Sequence, residues 1–179
     1  MKKSICYSLA FLFVVSLAAC GRSAGGKNEK IVFPAGLERI EGTGESHPDL
    51  SVPAIRLVVY IDSTECSNCR INNLDKYSPY ISLADLYPGF ETVVVIWPNS
   101  ETAETIDNLL KHKEFPFDVF VDRDGTFLEE NPSLPATGRN QHVLLTGSDG
   151  STVLTGDPVT SPGRDRQLRN ALYGMYKGN

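Results

Sequence analysis

An apolar run, Ile55-Arg56-Leu57-Val58-Val59-Tyr60-Ile61, is followed by four polar residues, then Cys66-Ser67-Asn68-Cys69, then apolar residues at helical spacing. That order constrains the fold more than anything else in the chain. A buried strand delivers two cysteines to the first turn of a helix. Cysteines three apart on one turn can close a disulfide. The partial positive charge and unpaired N–H groups of a helix N-terminus stabilise a thiolate. Cys66 and Cys69 are therefore the candidate reactive residues for dithiol/disulfide chemistry.

The other two cysteines belong to an address segment. Lys2 and Lys3 precede an apolar run from Ile5 to Leu17, too short for a stable membrane span. The run ends in Leu17-Ala18-Ala19-Cys20-Gly21, which resembles the lipobox of bacterial lipoproteins, where cleavage falls before a lipidated Cys. This resemblance implies a lipoprotein signal peptide over 1–19, a mature chain beginning at Cys20 and a thioether-linked lipid with fatty acyl (palmitate-type) chains there. Cys6 is then discarded, and Cys66 and Cys69 remain as the two thiols. Loss of Lys2 and Lys3 takes the formal charge from −5 to −7. An acidic chain without a basic run argues against nucleic acid or anionic lipid as partner. Lipid on Cys20 would hold the protein at a bacterial membrane, facing periplasm or cell exterior. Outside the cytoplasm, a cysteine pair can cycle between dithiol and disulfide.

Residues 20–30 are small and polar and read as a flexible tether. Residues 31–179 read as one domain, with 41% hydrophobic residues in the whole chain, enough for a proper core. Ile31 to Pro53 suggests one edge strand or hairpin, broken by Gly42, Gly44, Pro48 and Pro53. After the cysteines, Ile71, Leu74, Tyr77, Ile81 and Ala84 give a helical face, with a break expected near Ser78 because Pro79 follows. Thr92 to Trp97 reads as a second strand buried on both faces. Glu101 to His112 reads as a surface helix, with acids at its start and Lys111, His112 and Lys113 at its end.

Phe115 to Val121 is a third strand-like run. Thr126-Phe127-Leu128-Glu129 has the form of a capping box, which predicts a short helix from Phe127 to about Asn131. A loop marked by Pro132, Pro135 and Gly138 leads to two β-rich runs, His142 to Thr146 and Ser151 to Thr155, joined through Asp149-Gly150 as an antiparallel hairpin. Ser161-Pro162 caps a closing helix whose buried face is Leu168, Ala171, Leu172 and Met175. Strands alternating with helices imply a parallel core, to which the hairpin adds antiparallel strands.

With this element order around a C-x-x-C, the chain resembles the thioredoxin-like fold. It is similar to membrane-anchored thioredoxin-like lipoproteins related to thiol-disulfide interchange proteins of the TlpA and ResA type. The resemblance covers Ile55 to Tyr176 as topology and Cys66 to Cys69 as motif. It implies an α/β fold: a central mixed sheet, helices on both faces, and a C-terminal β-hairpin plus helix. It also implies that Cys66 attacks, that Cys69 resolves the mixed disulfide, and that no bound cofactor is needed. The implied partners are protein or small-molecule thiols and disulfides and a separate redox partner.

The chain departs from that family at three places. Glu65 stands where an aromatic residue usually precedes the first Cys, and a carboxylate there disfavours the thiolate. The dipeptide Ser67-Asn68 lacks the common Pro. The proline expected to face the cysteines falls near Asn140 or Gln141, with Pro135 too early in the sequence. The buried acid of the preceding strand is replaced by Tyr60, which leaves Asp62 or Glu65 to relay protons.

Other readings of the same residues stand beside these. The cysteine pair could be a structural disulfide, although so small a loop gains little stability from one. Zinc is disfavoured, because one C-x-x-C supplies two of four ligands and His47, His112 and His142 lack pairing spacing. The cysteines also lack a peroxidase-type surrounding run. His142, near the start of the hairpin, reads most simply as a packed or surface residue, Trp97 as core rim, and Glu129-Glu130 as solvent-facing. Two functions follow from different classes. One is a lipid-anchored extracytoplasmic thiol-disulfide oxidoreductase. The alternative is a non-catalytic thioredoxin-fold lipoprotein acting as a binding or assembly module.

Overall fold

A computed structural model describes residues 30–45, 47–62, 71–98, 103–134 and 142–178. These form a six-stranded sheet in the order β1-β4-β3-β2-β5-β6. The strands are β1 (Glu38–Ile40), β2 (Ile55–Ile61), β3 (Phe90–Ile96), β4 (Val119–Val121), β5 (Val143–Thr146) and β6 (Thr152–Thr155). β2, β3 and β4 are parallel, β5 and β6 run antiparallel to them on one side, and β1 closes the other edge antiparallel to β4. The sheet is mixed, as expected, and where an edge strand or hairpin was expected before Pro53 the described residues form one strand, β1.

β2 and β3 pair residue for residue, Ile55 opposite Phe90 through Ile61 opposite Ile96. Both are buried along nearly their whole length because both faces are covered. Alternation then sorts their side chains into two cores. Leu57, Val59 and Ile61 join Val94, Ile96, Val143 and Leu145 on one face, beneath α2 (Ala103–His112) and α4 (Pro162–Lys177). Val58, Tyr60, Val93, Val95 and Leu144 face the other way, against Ile31, Phe120 and Phe127 of α3 (Thr126–Glu130).

The segment after the cysteines departs from its expected phase. It is a 3-10 turn (Leu74–Tyr77), one α turn, α1 (Ser78–Ile81), and a second 3-10 turn (Ser82–Asp85). Pro79 falls in the first turn of α1, so the expected break at Ser78 is present. The buried residues are Ile71, Leu74, Tyr77, Tyr80 and Leu83, a strict period of three. Ile81 and Ala84, expected on that face from a 3.6-residue period, are only partly buried. Three residues per turn in the 3-10 geometry account for the shift.

A second correction concerns α3. Its helical residues begin at Thr126, and its cap position is Gly125, in the left-handed region at φ 72°. The capping oxygens come from Asp122, three residues before Gly125. Its carboxylate accepts from the Thr126 backbone N–H (3.0 Å), the Thr126 hydroxyl (3.1 Å) and the Phe127 N–H (2.9 Å). The closing helix matches its prediction more closely. Ser161 Oγ accepts from Arg164 N–H at 3.3 Å, Pro162 follows, and Leu168 and Leu172 are buried, with Ala171 and Met175 half-buried. Among the described residues no helix is long and apolar enough to cross a membrane.

Candidate functional site

β2 and β3 end level with each other, because Ile61 pairs with Ile96 and Trp97 N–H donates to Ile61 O at 2.8 Å. β5 runs the opposite way beside β2, with Val143 opposite Val59. The first described residue of that arm, His142, therefore lies where β2 finishes, and its carbonyl accepts from Tyr60 N–H at 2.8 Å. The carboxyl ends of β2 and β3 and the beginning of β5 meet at one edge of the sheet. Residues 63–70, which include the C-x-x-C, follow directly from Asp62 at this edge, and residues 135–141 lead directly into His142.

Asp62 and His142 are both fully buried there and form an ion-pair contact, Nδ1 to Oδ2 3.1 Å. A buried carboxylate beside an imidazole is expensive to desolvate, and the mutual attraction is what keeps both groups tolerable inside. The ring of Tyr60 packs edge-on to His142 at 5.4 Å and stacks on Phe127 at 4.8 Å. Tyr60, which replaces the expected strand acid, is thus a wall of the second core against which the imidazole rests. On the other side of β2, Ile71 is the first described residue after the cysteine segment, and it is fully buried in the first core.

The rim of this edge continues through Trp97 and Asp122. Trp97, half-buried, lies so close to Gly125 that a Cβ at that glycine would approach the indole to 2.7 Å. Asp122 N–H donates to Ile96 O at 2.8 Å, which ties the α3 cap to the end of β3. The expected core-rim position of Trp97 matches its packing against the second core.

Of the residues expected at the site, Asp62 is described: it is buried at the end of β2 beside His142. Cys66, Cys69, Glu65 and Gln141 lie outside the described residues, as do Cys20, Pro135 and Asn140. Of the two simple readings of His142, packed or surface, the structure shows the packed one, against a buried acid 80 positions earlier in the chain. The β5–β2 register places His142 opposite Tyr60; it joins strands distant in sequence and is not set by the hairpin turn, so the chain carried no local signal of the pair.

No protein-family model matches the chain, and no curated protein matches it. Solved structures do. A Chlorobium tepidum protein provisionally named thiol:disulfide interchange protein DsbE is similar with a TM-score of 0.54 at 17% identity, over 82% of this chain and 98% of that one. An uncharacterised thioredoxin-like protein from Porphyromonas gingivalis gives 0.44 at 12% identity, over 71% and 79%. The thioredoxin domain of a Bacteroides vulgatus thiol-disulfide oxidoreductase gives 0.41 at 15% identity, over 78% and 95%. Together with the mixed sheet, the covering helices and the terminal hairpin and helix, the first of these likenesses identifies the fold: this chain is thioredoxin-like in architecture.

Proposed function

We propose that the chain is a lipid-anchored, extracytoplasmic thiol-disulfide oxidoreductase working through Cys66 and Cys69. The observation that carries this reading is the position of the C-x-x-C in the chain, between the end of a buried central strand at Asp62 and the buried Ile71, on a thioredoxin-like sheet. The Cys66 thiolate attacks one sulfur of a substrate disulfide, forming a mixed disulfide and releasing the first substrate thiolate, which takes a proton. The Cys69 thiolate then attacks Cys66 Sγ, expelling the second substrate thiolate. The substrate has gained two electrons and two protons, and Cys66–Cys69 is oxidised. A separate dithiol donor restores it, and the reverse sequence makes the same pair an oxidant.

Those steps need protons delivered and removed. Asp62 and His142 form an ionisable pair at the edge from which the cysteine segment leaves, and this supports a role for them in holding that proton. Glu65 and Gln141, next to the two segments' ends in sequence, are the other candidate modulators. Protein or small-molecule disulfides are the substrate class, and the lipid on Cys20 supplies the membrane attachment.

The test is insulin-disulfide reduction with dithiothreitol as donor. The native chain should turn over, Cys66→Ser should lose turnover, and Cys69→Ser should accumulate mixed disulfides with substrate. Full activity in Cys66→Ser overturns the reading, and absence of turnover and of trapped species in all three favours the non-catalytic binding module.

A further inference from the structure

The sheet has a second end, opposite the Asp62–His142 edge, and the described chain enters the fold there. Lys30 bridges to Ser151, Ile31 N–H donates to Gly150 O at 2.9 Å, and Lys30 Nζ lies 3.7 Å from Asp149. All three partners belong to the β5–β6 turn. Because Thr146 pairs with Arg56, that turn lies beyond the first residues of β2. β2 has seven residues, so the chain's entry point stands roughly 20 Å or more from Asp62. Gly150, at φ 83°, lies under this contact, and a Cβ on it would come within 3.2 Å of Ile31 O.

Among the described residues, the exposed large apolar side chains lie towards the same end. Val52 (51% exposed) precedes β2, Leu86 (71%) precedes β3, Val153 (46%) follows the β5–β6 turn, and Tyr173 (58%) lies in the last turns of α4. The end of α4 is fixed to this end of the sheet, since Tyr176 donates to Pro88 O at 3.0 Å and its ring packs on Tyr87. The remaining exposed one, Val32 (46%), is two residues from Lys30. Lys177 lies over the Tyr173 ring at 5.7 Å. Scattered exposed apolar residues are ordinary, but their concentration around the point of chain entry is not. Tyrosine and lysine are also the side chains whose apolar bodies and polar tips suit a membrane–water interface.

We infer that this end of the molecule rests on the lipid surface to which Cys20 is attached, with Leu86 and Tyr173 as its contacts, so that the Asp62–His142 edge points away from the membrane. The inference rests on the lipid-anchor reading above. Nine residues separate Cys20 from Lys30. Even fully extended, a chain of that length reaches no more than about 35 Å, which keeps this end near the surface and makes weak contacts effective. The redox edge then serves partners that stand out from the membrane.

The experiment uses full-length lipidated protein in phosphatidylcholine vesicles carrying a trace of headgroup-labelled acceptor lipid. A donor dye is placed at Ser148→Cys, on the β5–β6 turn, or at Asp124→Cys, beyond β4 at the far edge, in a Cys66→Ser/Cys69→Ser background. Energy transfer from position 148 should exceed that from 124 several-fold. Adding Leu86→Ser and Tyr173→Ser, both exposed and so harmless to folding, should shrink the difference while the protein still floats with vesicles. Equal transfer from both positions in vesicle-bound protein overturns the orientation and leaves the lipid reading intact. Failure to float overturns the lipid reading and the orientation with it. Concentration-dependent dimerisation of the detergent-solubilised protein, abolished by the same two substitutions, assigns the surface to a second copy and also overturns it.

Discussion

Asp62 and His142 show what a single contact asks of the rest of the chain. Neither residue has a charged neighbour in sequence that would explain its burial; β5 must lie against β2 in one register for them to meet. Asp62→Ala leaves a buried imidazole without this partner, and the expected cost is about 1–3 kcal/mol in urea unfolding. Asp62→Asn keeps the shape and should cost less. Tyr80 supplies a second residue-scale prediction. Burial, and its hydrogen bond to Asp165 (3.0 Å), raise its pKa above the ordinary 10.0. The folded phenol keeps its proton where the unfolded one releases it, so this contribution is fully present below about pH 10 and is lost as pH rises further. Tyr176 is raised in the same direction by burial. Unfolding followed from pH 9 to 11 should show stability falling, and Tyr80→Phe should flatten that fall.

At the scale of elements, the strands were legible and the short helices less so. Continuous β-branched runs predict β2 and β3 because burial on both faces removes any need for polar alternation. The 71–85 segment was harder. Its apolar residues fit both a 3.6 and a 3.0 period, and the choice is made by Pro79 and by packing against Phe90 and Leu172. The Thr126-x-x-Glu129 pattern misassigned the cap, since Asp122 already offers two oxygens from a strand end and reaches the same N–H groups first. Asp122→Ala should therefore destabilise the protein by about 1–2 kcal/mol, and Asp122→Asn by less. Hydrogen exchange at Thr126 and Phe127 locates the loss at the start of α3. Thr126→Ala removes one hydroxyl donor and should cost less than Asp122→Ala.

On the scale of the whole molecule, the chain has two cores separated by one sheet, and the N-terminal segment contributes to the second of them. Ile31 is buried there, and Phe33 packs on Phe127 at 5.9 Å with the Arg56 guanidinium over its ring at 5.4 Å. A chain beginning at Lys30 should unfold cooperatively, and one beginning at Gly36 should lose at least about 2 kcal/mol, from Ile31 burial alone. Urea midpoints of the two forms check this. Residues 20–29 lie outside the described residues, and Lys30, the last residue of the expected tether, bridges to Ser151. Nothing in Ile31-Val32-Phe33 distinguished a strand from the extended strap it forms, because packing across the sheet face decides that.

Turnover at Cys66 and Cys69 is what the proposed function requires, and the reduction potential of the pair reads it out. Equilibration of the full chain with glutathione or dithiothreitol buffers, read by alkylation of the free thiols, gives the value. A redox-active pair should lie between about −120 and −270 mV. A potential below about −300 mV would identify a structural bond and contradict the account.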